Sequence, residues 1–149
     1  MLDLILAILH HLLIFALVGL LAAELALVRP GVGSNGLKVL GGLDAGYGAV
    51  ATLILAVGFA RVFLGAKGST FYLSNPVFWA KIAAFAVVGL LSIMPTIAIL
   101  KWRGRAKVDA GYVVPQAEAA GVRRALWAEV AVFALIPVFA AAMARGYGL

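Results

Sequence analysis

The chain has no cysteine in its 149 residues, which excludes disulfides, thiolate metal centres, covalently attached c-type haem and thiol redox chemistry. Charge is scarce as well, at 12% of residues, and the six carboxylates, Asp3, Glu24, Asp44, Asp109, Glu118 and Glu129, include no closely spaced pair. No G-x-S-x-G, H-E-x-x-H or Walker sequence occurs, so a soluble-type hydrolase has no support. Histidine is limited to two neighbours, His10 and His11, set inside the apolar run "LAILHHLLIF". Any metal must therefore rest on His, Met, Lys or carboxylate.

What the chain has in abundance is apolar surface: 65% of residues are hydrophobic and the mean hydropathy is +1.12, far above a soluble domain. Four apolar segments, about 4–28, 44–64, 77–100 and 125–144, each approach the roughly 20 residues that cross a bilayer core. They predict an all-α protein, a single four-span membrane domain over 1–149 built as a four-helix bundle. The first segment reads as a retained span and not a cleaved signal, because its head "MLDL" carries Asp3 and no Lys or Arg.

The net charge of +6 reads as orientation and not as a nucleic-acid surface, because the basic residues flank the apolar segments. Lys101, Arg103, Arg105, Lys107, Arg123 and Arg124 fall between the third and fourth segments, and Arg29 and Lys38 between the first and second. The positive-inside rule puts both connectors in the cytoplasm, with both termini and the loop around Lys67 on the outer, periplasmic side of a bacterial inner membrane. Tyr72, Trp79, Trp102 and Tyr147 are expected at the headgroup boundaries. The small-residue pairs Gly42/Gly46 and Gly19/Ala23 suit close helix approach, and self-association through Gly- and Ala-rich faces is expected. Gly31, Gly33 and Gly36 match G-x-G-x-x-G, but they follow a membrane helix and Arg29-Pro30 instead of a strand, so the run reads as a flexible connector. Pro95 and Pro137 fall inside the third and fourth segments, where each removes a backbone hydrogen bond.

Ionisable groups inside a bilayer cost about 2.5–3.5 kcal/mol each near its centre, so each calls for a partner or a task. By depth they divide into two groups. His10 or His11, Arg61, Trp79 and Lys81 share the outer half, a cationic set without an evident carboxylate. Snorkelling to lipid phosphate is one reading; the other is an anionic ligand such as the propionates of a haem, or a small acidic substrate. Neighbouring helical residues point about 100° apart, so the two histidines cannot face one small site. A neutral imidazole can ligate haem iron or carry protons. At the cytoplasmic end stand Glu24, Asp44, Tyr47, Arg123, Arg124 and Glu129, where carboxylate–arginine ion pairs are expected and a proton path is the alternative.

The pattern "LDAGYGAVA…GFARVFLGAKGSTFYLSNPVFWAKIAAFAVVGLLSIMPTIAILKW", preceded by "LHHLLIFALVGLLAAELALVR", resembles the bacterial family of predicted membrane proteins termed domain of unknown function 2214. The likeness covers essentially the whole chain; "NPVFWAKI" and "GLLSIMPT" are its most specific pieces. More remotely, a His in the first helix with a Trp and a Lys opening a later one is similar to HemJ-type protoporphyrinogen oxidases and CopD-like copper-resistance membrane proteins. That likeness implies b-type haem, with His11 (His10 as alternate) as iron ligand, Lys81 as second ligand or propionate partner, Arg61 as propionate clamp and Trp79 as ring wall. The expected function is haem or porphyrin binding in the outer half, with electron or proton transfer to a redox partner that the sequence does not identify. The alternatives are a protoporphyrinogen-oxidase-like enzyme and a non-enzymatic factor passing a metal or anion.

Overall fold

A computed structural model of the chain describes residues 1–66 and 68–148. Among the described residues six helices follow one another: α1 (Leu2–Leu27), α2 (Ser34–Leu64), α3 (Gly68–Leu73), α4 (Pro76–Val108), α5 (Gln116–Phe133) and α6 (Leu135–Ala144). The architecture is all-α, with four stretches long and apolar enough to cross a membrane: α1, α2, α4, and α5 with α6. Helices are the physical answer to such a sequence, since lipid offers no partner to a free N–H or C=O. The loop around Lys67 includes a position outside the described residues.

Local signals set the helix ends. Asn75 caps α4, its side-chain oxygen accepting from the Val77 N–H at 2.8 Å with Pro76 in the first turn. The α5–α6 break falls at Ala134, where Pro137 lacks the N–H that would bond the Phe133 carbonyl four residues back. Pro95, by contrast, is accommodated within a continuous α4.

Three helices overrun their apolar segments. α2 begins at Ser34, α4 runs on to Val108 and α5 begins at Gln116. At 31 and 33 residues, α2 and α4 are about 46 and 50 Å long, against a hydrocarbon core of about 30 Å. The surplus stands at the end bearing the α1–α2 and α4–α5 connectors, the loop end; the opposite end, with both chain termini, is the terminal end. Leu37, Trp102, Val114, Ala119 and Val122 are buried together there and continue the main core of Leu17, Leu21, Leu40, Ile54 and Val88. The two connectors are stitched by backbone bonds, Gly31 N–H to Val114 C=O and Val114 N–H to Val32 C=O, both 3.0 Å. Gly31 turns at φ 80°, a conformation natural to glycine. The glycine run is thus a helix connector, with Gly36 already inside α2.

Around the bundle, α1 packs on α2, α2 on α4, and α4 on both α5 and α6; α1 reaches α5 but makes no contact with α6. α1 therefore lies closer to α5, in the loop half, than to α6, in the terminal half, where no Cα pair comes within 8 Å. A small second core of Val62, Tyr72 and Phe78 fills the terminal end beside α2 and α4.

Two expectations are corrected. Trp102 and Tyr72 are buried instead of forming headgroup belts, since each found internal company: the Trp102 indole N–H donates to Glu118 at 2.6 Å, and Tyr72 packs on Phe71 and Phe78. Trp79 and Tyr147 are exposed. The close approach of α1 and α2 does not use Gly19 or Gly42, where an added Cβ would meet nothing within 4 Å. It occurs at Gly46 and Gly58, where an added Cβ would stand 3.7 Å from Leu20 and 3.3 Å from the His10 ring.

Candidate functional site

Heptad arithmetic explains which polar side chains point inward. His10 precedes Leu17 by seven residues and Glu24 by fourteen, so all three share one face of α1 with Leu21. Arg61 ends the α2 series Leu40, Tyr47, Ile54, and Lys81 begins the α4 series Val88, Pro95, Trp102. Three basic side chains therefore occupy core positions at the terminal end. Counted from their helix ends at about 1.5 Å per residue, His10 is about 12 Å deep, Lys81 about 8 Å and Arg61 about 5 Å.

The structure brings these three together: Lys81 and Arg61 both act electrostatically on His10, and Arg61 acts on Lys81. The His10 ring fits against Gly58, where any larger residue would crowd it. Its Nδ1 is buried and has no hydrogen-bond partner, and the same holds for Arg61 Nε. Lys81 Nζ stands 5.5 Å from the Phe78 ring centre, a cation–π contact that holds it without neutralising it.

His11 and Trp79 stand outside this group. His11 is exposed on the outer face of α1, its Nδ1–H donating to the Ala7 carbonyl at 2.7 Å, and its ring meets the His10 ring edge-on at 6.4 Å. The exposed Trp79 donates its indole N–H to the Leu73 carbonyl at 3.0 Å, tying the end of α3 to the start of α4. It stacks edge-on with Phe78, not with the histidine.

The acidic layer departs from expectation. Neither Glu24 nor Asp44 meets an arginine. Arg123 donates to the Leu25 and Val28 carbonyls at 2.6 and 3.0 Å, satisfying the free C-terminal carbonyls of α1. Arg103 lies over Gly41. Among the described residues the ion pair is Arg105–Glu118, 2.8 Å apart and half-exposed, a position where such pairs contribute little. Asp44 instead accepts from the Thr96 hydroxyl at 2.6 Å, and Glu129 accepts from the Tyr47 hydroxyl. Thr96 escaped sequence reading; its signal was a hydroxyl next to Pro95 on the core face of α4. No group of three or more His, Asp or Glu among the described residues could hold a metal ion, so two histidines alone make no metal cage.

Interior polar layers at both ends and lipid-facing apolar flanks define a four-span helical membrane protein. The chain belongs to the predicted membrane protein family DUF2214, whose profile matches residues 2–148. No curated protein and no solved structure matches it.

Proposed function

We propose that the terminal-end layer binds an anionic planar ligand of the porphyrin class, b-type haem being the specific candidate. The observation that carries this reading is the convergence of His10, Arg61 and Lys81 on core positions, with His10 Nδ1 and Arg61 Nε buried and unpartnered. Buried donors are nearly always satisfied, and a ligand with a metal and carboxylates would satisfy both kinds. The donor set fits haem in its chemistry: a neutral imidazole for iron, and a guanidinium and an ammonium for propionates. Bound haem would supply one-electron chemistry. The chain's own residues would do the rest: His10 holds the iron, Arg61 and Lys81 fix the carboxylates, and the flat ring enters from the lipid between α1 and α6. His11 stays outside the site in this reading.

The same reading takes the basic loop end as cytoplasmic, so the ligand sits in the outer half of a bacterial inner membrane. Protein purified in mild detergent after expression with ample haem should show a Soret band. Haem dimethyl ester, which lacks free carboxylates, should bind about tenfold or more weakly, the equivalent of losing roughly 1.4 kcal/mol of charged contact. Absence of a Soret band defeats the haem reading. Equal affinity for acid and ester removes the role assigned to Arg61 and Lys81. Rescue of a strain lacking protoporphyrinogen oxidase would move the site from binding to catalysis.

A further inference from the structure

The acidic layer carries a second inference, one that does not rest on the porphyrin reading. About twenty residues in from the terminal end, the hydrocarbon core is spent: that count reaches Glu24 on α1 closely, Asp44 on α2 and Thr96 on α4, with Glu129 on α5 about 7 Å nearer the terminal end, level with Tyr47. Glu24, Asp44 and Glu129 act electrostatically on one another. Glu24 and Glu129 are 2% and 1% exposed, and each has an oxygen, Oε1 and Oε2 respectively, buried without a partner.

No cation compensates them. From α1 the layer receives Glu24; from α2, Asp44 and Tyr47; from α4, the hydroxyls of Ser92 and Thr96; from α5, Glu129. Arg123 is engaged with carbonyls of α1, Arg103 lies against Gly41, and among the described residues neither forms an ion pair with these carboxylates. Between α2 and α4 lies a cavity of about 80 Å³ lined by Asp44, Tyr47, Ser92 and Thr96 among others, several times the roughly 15 Å³ that one water needs. Towards the terminal end the interior closes: Leu17, Ile54 and Val88 are buried between this layer and the cationic one.

We propose that Glu24, Asp44 and Glu129, with Tyr47 and Thr96, form a proton-binding site at the loop-side edge of the hydrocarbon core, filled through the cavity beside Asp44 and sealed from the cationic layer by the apolar core. Two fully buried carboxylates with the half-buried Asp44 beside them and no paired cation cannot all remain charged at tolerable cost, and a proton is the one cation that needs no coordination cage. Each uptake converts a carboxylate to a carboxylic acid with no change of oxidation state; the cavity itself touches Asp44 and Tyr47, so the proton passes from cavity water to Asp44 and on to the neighbouring glutamates. The free oxygens of Glu24 and Glu129 are the acceptors. Tyr47 already donates to the other Glu129 oxygen and holds that carboxyl in place.

Infrared difference spectroscopy on the full chain in lipid nanodiscs, titrated with pH in light and heavy water, tests this directly. The unmodified protein should show a carboxylic acid C=O band at neutral pH that shifts on deuteration, proving both the proton and its access to water. Glu24→Gln and Glu129→Gln should each remove part of the band and the double variant all of it, while circular dichroism stays unchanged. Tyr47→Phe should shift the band without removing it. The proposal is overturned if the unmodified protein, which needs no variant to fold, has no such band at neutral pH. It is equally overturned if the band appears only after sodium is withdrawn, which would make this a metal-cation site, or if the folded double variant keeps the band intact.

Discussion

The two polar layers stand two heptads apart on the same helix faces, about 21 Å along each axis, with His10 facing Glu24 along α1 and Arg61 facing Tyr47 along α2. Both lie on the inward faces of their helices, neither contains an ion pair among the described residues, and both leave buried polar atoms unpartnered. They differ in surroundings. The acidic layer lies where the bundle is closed by α5 and hydroxyls reach it, so its members partly satisfy one another. The cationic layer lies where α1 and α6 part, and its members have no hydroxyl or carboxylate bond among them. A closed layer with internal donors suits something as small as a proton; one made of two cations and an imidazole suits a larger anionic guest with a metal.

Substitutions can separate the two. The largest expected effect belongs to the cationic layer: Arg61→Ala or Lys81→Ala should weaken haem binding about thirtyfold, on the order of the 2 kcal/mol lost when one side of a buried charged contact is removed. Glu24→Gln and Glu129→Gln should leave that affinity unchanged, and a ligand titration of all four variants checks it. Loss of haem affinity in the glutamine variants would mean the layers are one coupled site. Next comes Tyr47→Phe, which strips Glu129 of its donor and should lower stability by about 1–3 kcal/mol in a detergent unfolding titration, without altering the ligand spectrum.

Much of this architecture was legible in the sequence. Four apolar segments of spanning length, with basic residues gathered in alternate connectors, are strong signals because lipid leaves few other solutions. The helix overruns were less visible: stretches such as "QAEAAGVRR" are polar, and only the periodic burial of Ala119, Val122 and Leu126 marks them as a helix face. Depth grouped His10 or His11, Arg61, Trp79 and Lys81; His10, Arg61 and Lys81 lie together, whereas His11 and Trp79 stand outside. Which histidine turns inward was decided by the seven-residue spacing from His10 to Leu17 and by Gly58, a glycine across the helix boundary that no local pattern links to it. The missing ion pairs had no sequence signal, because Arg123 serves backbone carbonyls that every helix end exposes.

Smaller effects sharpen the geometry. Gly58→Ala places a methyl 3.3 Å from the His10 ring, close enough to move it by a few tenths of an ångström. A shifted Soret maximum with roughly two- to fivefold weaker binding, about 0.4–1 kcal/mol, is expected. Gly42→Ala, with open space around it, should leave both layers untouched and raise thermal stability slightly, by up to about 1 kcal/mol from helix propensity.

If the terminal-end layer binds haem, His10 and not its neighbour should be the histidine that holds it. Absorption spectra of the purified protein, His10→Ala and His11→Ala, each expressed with ample haem, test it most directly. A Soret band is expected in the unmodified protein and in His11→Ala, and its loss in His10→Ala. A band that survives in His10→Ala and vanishes in His11→Ala would contradict it.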